Sequence, residues 1–143
     1  MKISKGADYA LLAVGYLASS SNGDQGKLVN KSELVTKLDL PKEFLSQILQ
    51  RLKASGLLKS VRGKYGGYML TKPVTDITFL EVIEALDGKL SMVQCFDDTI
   101  TVSARFKEGR TIRQKMSQAQ VGIGNVLNDI TFDQISMDGR NEI

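Results

Sequence analysis

Leu57-Leu58-Lys59-Ser60-Val61-Arg62-Gly63-Lys64-Tyr65-Gly66-Gly67-Tyr68-Met69-Leu70 holds two short apolar runs, Leu57–Val61 and Tyr68–Leu70, around a turn with three glycines. Strand-length runs on either side of a glycine-rich turn predict a β-hairpin. Its tip presents Arg62, Lys64 and Tyr65 and no acid. Glycine lets the backbone take positive φ and approach another surface closely. A cationic tip with little side-chain bulk suits the phosphate backbone or the minor groove of a nucleic acid. An ordinary surface hairpin with solubilising lysines has the same composition. The residues that precede the hairpin separate the two.

Those residues read as two short helices. Asn30-Lys31-Ser32-Glu33 fits a capping box, with Asn30 as cap and Glu33 reaching back. The helix it opens carries Leu34, Val35 and Leu38 on one face and ends near Asp39. Pro41 suits the first position of a second helix, which runs over Lys42–Ser55 and is closed by Gly56. Phe44, Leu45, Ile48, Leu49 and Leu52 point inward, while Lys42, Glu43, Ser46, Gln47, Gln50, Arg51 and Lys53 point outward. Amides and hydroxyls can bond base edges in a major groove, and cations can bond phosphate. A helix-turn-helix followed at once by a basic glycine-rich hairpin is a winged helix. The expected DNA contacts are Lys42, Glu43, Ser46, Gln47, Gln50 and Arg51 from the helix. The hairpin adds Lys59, Arg62, Gly63, Lys64, Tyr65 and Gly66. Charge follows the same segment: residues 37–64 hold seven basic and two acidic side chains, residues 65–143 eight basic and eleven acidic.

Around this centre the fold class is mainly α with a small β-wing. Residues 5–20 read as a first helix, capped by Ser4, with Tyr9, Leu12, Ala13, Tyr16 and Leu17 at inward spacing. Ser19–Gly26 is a polar loop, and Lys27–Val29 is a candidate short strand. Thr78-Phe79-Leu80-Glu81 is a second capping box, opening a helix to about Leu86 that packs through Phe79, Leu80, Val82, Ile83 and Leu86 and stops at Gly88. Residues 1–88 thus form the winged domain. Residues 89–102, with Cys95, Asp97 and Asp98, connect it to a helical pattern over about 103–129, and a tail closes the 103–143 stretch. In the long pattern Ile112, Met116, Ala119, Ile123, Val126 and Ile130 form a heptad seam. The seam serves packing on the chain's own domain or, as favoured here, a homodimer, because paired half-sites raise affinity. Gly122 and Gly124 each cost about 1 kcal/mol relative to alanine in a helix, and they permit a close helix crossing. Residues 130–135 can dock back on a neighbour, and 136–143 are expected to fray.

Composition narrows the function classes. The 143 residues are 42% hydrophobic and 24% charged, values of a globular protein, with net charge +3. No run of about 18 apolar residues exists to span a membrane, and the N-terminus lacks a signal-peptide pattern, so a cytoplasmic protein is expected. One cysteine allows no internal disulfide. Without histidine there is no Ser/His/Asp or Cys/His arrangement, and no Gly-Lys-Ser/Thr phosphate loop occurs, so no catalysis is expected.

Asp8-Tyr9-Ala10-Leu11, Ser55–Gly63, Gly66-Gly67-Tyr68-Met69-Leu70, Ile77–Ile83 and Leu127–Thr131 resemble the BadM/Rrf-type bacterial winged helix-turn-helix regulators, the IscR/NsrR/CymR family. The resemblance covers nearly the whole chain. It implies a dimeric transcription factor, a repressor, that crosses its long helix with that of its twofold mate. It implies that Arg62 enters the minor groove and that Lys42, Glu43, Ser46 and Gln47 face the major groove of a double-stranded operator. Cluster-binding members carry three cysteines before the long helix. Here Cys95 matches the first, and Thr101–Lys107 stand where the others would fall. A cluster needs about four soft ligands, so no iron–sulfur cluster or other cofactor is expected, as in the cluster-free branch. Cys95 is then a small buried hydrophobe or a thiol switch, the second disfavoured by Asp97 and Asp98 beside it. A small molecule or a protein as effector stays open. So do two other functions, a redox-sensing regulator and a winged-helix interaction module.

Overall fold

The structure, a computed structural model, describes residues 2–21, 27–91 and 107–135. Cys95, the Asp97–Asp98 pair, residues 103–106 of the long helical pattern and the 136–143 tail lie outside the described residues. Three helices come first: α1 (Lys5–Ser20), α2 (Lys31–Leu38) and α3 (Lys42–Ala54). A two-stranded antiparallel sheet follows, β1 (Leu58–Val61) with β2 (Gly67–Leu70), then α4 (Phe79–Asp87) and α5 (Lys107–Asp129). Single 3-10 turns occupy Val74–Asp76 and Phe132–Gln134.

Local signals set the helix ends. Ser4 accepts the Ala7 N–H at 3.0 Å and starts α1. Asn30 accepts the Glu33 N–H at 2.8 Å, its half of the expected box. At α4 both halves form, between Thr78 and Glu81. Helix α2 ends on Asp39 in the left-handed region, φ 52°. Pro41 is the cap of α3 rather than its first helical residue, and α3 ends at Ala54, with Ser55 as its cap. Both shifts are one residue, within the fraying of helix ends.

The core gathers one stripe from each of α1 to α4. Ala7, Ala10, Val14 and Leu17 of α1 meet Leu34 of α2, Leu45, Ile48, Leu49 and Leu52 of α3, and Val82 and Leu86 of α4. Leu12 departs from expectation and is exposed, because α1 turns its alanine-rich stripe to the core instead. Tyr9 and Tyr16 are half-buried, and Tyr9 stands edge-on to Phe44 with ring centroids 5.5 Å apart. The expected strand at Lys27–Val29 reduces to one residue: Val29 exchanges both backbone bonds with Tyr68, at 2.9 and 2.8 Å.

The end of the chain returns to this core. Phe132 is 1% exposed and lies 4.9 Å from the Phe79 ring. The Phe79 N–H donates to the Ile130 carbonyl, and Thr131 bridges Thr78. Residues 130–135 therefore dock on the first domain of the same chain.

Candidate nucleic-acid interface

Helix α3 owes its orientation to its apolar stripe. With Leu45, Ile48, Leu49 and Leu52 inward, 3.6-residue periodicity turns Lys42, Glu43, Gln47 and Gln50 outward, all exposed. Ser46 is half-buried, and its hydroxyl donates back to the Lys42 carbonyl at 2.8 Å. Arg51 is also on the outer side, yet its guanidinium Nη1 donates to the Leu86 carbonyl of α4 at 2.7 Å.

The hairpin begins directly after α3. Gly56, at φ +87°, reverses the chain, and the Leu57 N–H donates to the Leu52 carbonyl at 3.1 Å. The strands pair Leu58 with Leu70, Lys59 with Met69, Ser60 with Tyr68 and Val61 with Gly67. This register buries Leu58 and Leu70 and leaves Lys59 exposed. It also makes Arg62–Gly66 the tip, where Arg62, Gly63, Lys64 and Tyr65 are exposed and Gly66 is half-buried.

Two positions explain the glycines. Gly63 takes φ +120°, outside the range of other residues. Gly66 donates to the Gly63 carbonyl at 3.0 Å, and a Cβ there would lie 2.1 Å from the Val61 carbonyl oxygen. The tip is thus a closed turn whose side chains all point to solvent. Tyr65 is 84% exposed, and the Lys64 ammonium lies 5.8 Å from its ring centroid.

Helix and wing are fastened to each other and to α4. Lys53, which the sequence placed outward but not among the contacts, donates to Ser60 of β1 at 2.8 Å. Thr71, just past β2, donates its hydroxyl to the Gly56 carbonyl at 2.6 Å. Lys72 forms a 2.6 Å ion pair with Glu81 of α4. The α3 face and the wing tip both expose amides or cations, with one carboxylate, Glu43, group types that suit base edges and phosphates.

Helix α5 presents a second exposed surface. Its expected seam splits: Ile112, Ala119 and Val126 are exposed, while Met116, Ile123 and Ile130 are half-buried. Ile112 and Val126 are 61% and 62% exposed, large values for branched aliphatic side chains.

Donors for a metal or cluster are scarce. Among the described residues no group of three His, Cys, Asp or Glu side chains stands close enough to hold a metal ion. The whole chain has one thiol and no imidazole, which does not fit a cysteine- or histidine-ligated cluster. Among the described residues no helix is long and apolar enough to cross a membrane.

Known proteins share both the sequence pattern and the fold. The sequence profile of the Rrf2 family, described as iron-dependent transcriptional regulators, matches residues 3–138. CymR of Bacillus subtilis is 36% identical over 98 residues, covering 68% of this chain and 69% of that protein. NsrR of Oceanobacillus iheyensis is 26% identical over 135 residues, covering 94% of this chain and 89% of that protein. An rrf2-like HTH-type regulator of Rhodobacter capsulatus is 34% identical over 87 residues, 61% of this chain. The match spans 58% of that relative's length, and three other curated relatives are spanned over 56–60%. Among solved structures, the B. subtilis global cysteine regulator CymR superposes with a TM-score of 0.70 at 25% identity, over 93% of this chain and 94% of that one. T. potens IscR superposes with a TM-score of 0.66 at 28% identity, over 93% and 84%. With a family profile covering nearly its whole length, the chain belongs to the Rrf2 family of transcriptional regulators, which are not enzymes.

Proposed function

We propose that the chain is a homodimeric, sequence-specific DNA-binding regulator, a repressor, that reads a pseudo-palindromic operator in the cytoplasm. The observation that carries this is the pairing of the exposed Lys42–Gln50 face with the glycine-closed Arg62–Tyr65 tip, joined through Lys53 and Ser60. Gln47 and Gln50 offer amides to base edges, and Arg62 and Lys64 reach phosphate or minor groove. Two chains pair through α5. Its last turns lie beside the residues after α4, with Gly124 near Leu90, and the chain leaving α5 pairs Thr131 with Thr78, the cap of α4. From Lys107 to Gly124 the helix rises about 25 Å. Exposed Ile112 and Val126 on that helix favour a mate of the same kind.

The test is selection of duplexes from random sequence by the protein, followed by a salt titration of the winner. Wild-type affinity falls steeply with salt, and Arg62→Ala weakens binding and makes the slope shallower by about one per protomer. Unchanged affinity and slope in Arg62→Ala contradict the wing's role.

We further propose that the chain works without an iron–sulfur cluster, on the strength of its single thiol and absent imidazole. Protein purified without oxygen is then colourless and free of iron. Stoichiometric iron with visible charge-transfer absorbance contradicts this.

A further inference from the structure

We infer that Arg51 is a positioning residue: it locks α3 to the C-terminal end of α4 and thereby sets the separation at which two half-sites are read. This rests on the homodimeric reading above and adds the residue that fixes its geometry.

The outward spacing that put Arg51 among the expected DNA contacts sets it at the edge of that face, where α4 takes up its guanidinium. Glu43, Ser46, Gln47 and Gln50 fill an arc of about 100° on α3, and Arg51 lies some 40° past its edge. From there its guanidinium reaches across 35 sequence positions to the Leu86 carbonyl at 2.7 Å. Leu86 is in the last turn of α4, where carbonyls lack partners within the helix and the dipole is negative. A charged donor there makes a strong, directional bond.

Helix α4 is where the rest of the molecule is fastened. Asp87 accepts the Ser4 N–H at 3.0 Å and also the Ser4 hydroxyl, tying in the start of α1. Glu81 pairs with Lys72 at the base of the wing. Thr78 and Phe79 hold the exit of α5 through Thr131 and Ile130. Apolar packing alone, through Leu45, Ile48, Leu49 and Leu52, is non-directional and lets a helix roll on its neighbours. The Arg51 bond adds a direct, directional restraint between α3 and α4. It couples the helix that touches bases to the block that carries the dimerisation helix. In a twofold dimer, any roll of α3 against α5 appears twice, once in each half-site.

The experiment uses the full chain, wild type, Arg51→Gln and Arg51→Lys. Duplexes carry either one half-site taken from the selected sequence or two, with the spacer varied one base pair at a time. The wild type shows a sharp optimum in spacer length. Arg51→Gln loses about tenfold more affinity on the best-spaced duplex than on a single half-site, keeps the salt slope of the single half-site, and flattens the optimum. Arg51→Lys, which can donate to the same carbonyl, restores the optimum in part. If Arg51→Gln weakens one-site and two-site binding equally with a shallower salt slope, Arg51 is a phosphate contact and the inference fails. If its optimum is as sharp as wild type, with or without a lower melting temperature, the inference also fails. A wild type with no spacing preference overturns the homodimeric reading itself, and this inference with it.

Discussion

A side chain added at Gly66 would place its Cβ 2.1 Å from the Val61 carbonyl oxygen, and one at Gly67 2.5 Å from that of Val29, while one at Gly122 meets nothing within 4 Å. Gly66 and Gly67 answer to their own chain. Their backbone is crossed by other backbone, and no side chain fits. Gly122 has no such reason. In a helix interior it costs about 1 kcal/mol relative to alanine, and nothing among the described residues occupies the space it leaves. It lies between Ala119 and Val126, on the exposed row that begins at Ile112. A small residue with no neighbour among the described residues, on an exposed apolar row, is what a close crossing with a second helix requires. One region is thus finished within the monomer, and the other is where the proposed homodimer would place its mate.

Three substitutions press on that contrast. The largest effect is expected at Phe132, which anchors the end of α5 in its own chain's core. Phe132→Ala should cost about 3–5 kcal/mol in urea unfolding, in line with truncation of a buried phenylalanine. A cost below 1 kcal/mol would mean that this end of α5 is not held by its own domain. Next comes the wing. Gly66→Ala should cost about 2–3 kcal/mol and abolish binding to the selected duplex, since backbone must move to admit the methyl. A variant with wild-type stability and affinity would show that the tip tolerates another path. The smallest effect on the monomer is expected at α5. Gly122→Leu should leave the melting temperature of dilute monomer unchanged or slightly raised, yet weaken the dimer about tenfold in sedimentation equilibrium, or by about 1.4 kcal/mol. An unmoved dimer constant removes the crossing from this part of α5.

What was legible in the sequence was what local chemistry decides. Helices α1 to α4 follow from periodicity and from caps such as Ser4, Asn30 and Thr78, each within three residues of its partner. The wing follows from Gly63, Gly66 and Gly67 between apolar runs. The rest depends on residues far apart in the chain. Val29 pairs with Tyr68 through backbone alone, which leaves no mark in side-chain pattern. Leu12 has the right spacing for the core, but α1 is apolar on more than one side and packing chose the alanines. Arg51 reads as an outward cation like its neighbours, and only the approach of α4 gives its guanidinium a carbonyl. The heptad seam was visible as a row of apolar residues. Which half faces its own domain was not, because periodicity fixes a stripe and not its partner.

Sedimentation velocity of the full chain, alone and with a selected duplex, tests the central claim most directly. Two chains sedimenting together in free solution, and two chains bound per duplex with both half-sites protected from cleavage, is the expected result. A single chain in solution that binds one chain per duplex, with one protected site, would contradict it.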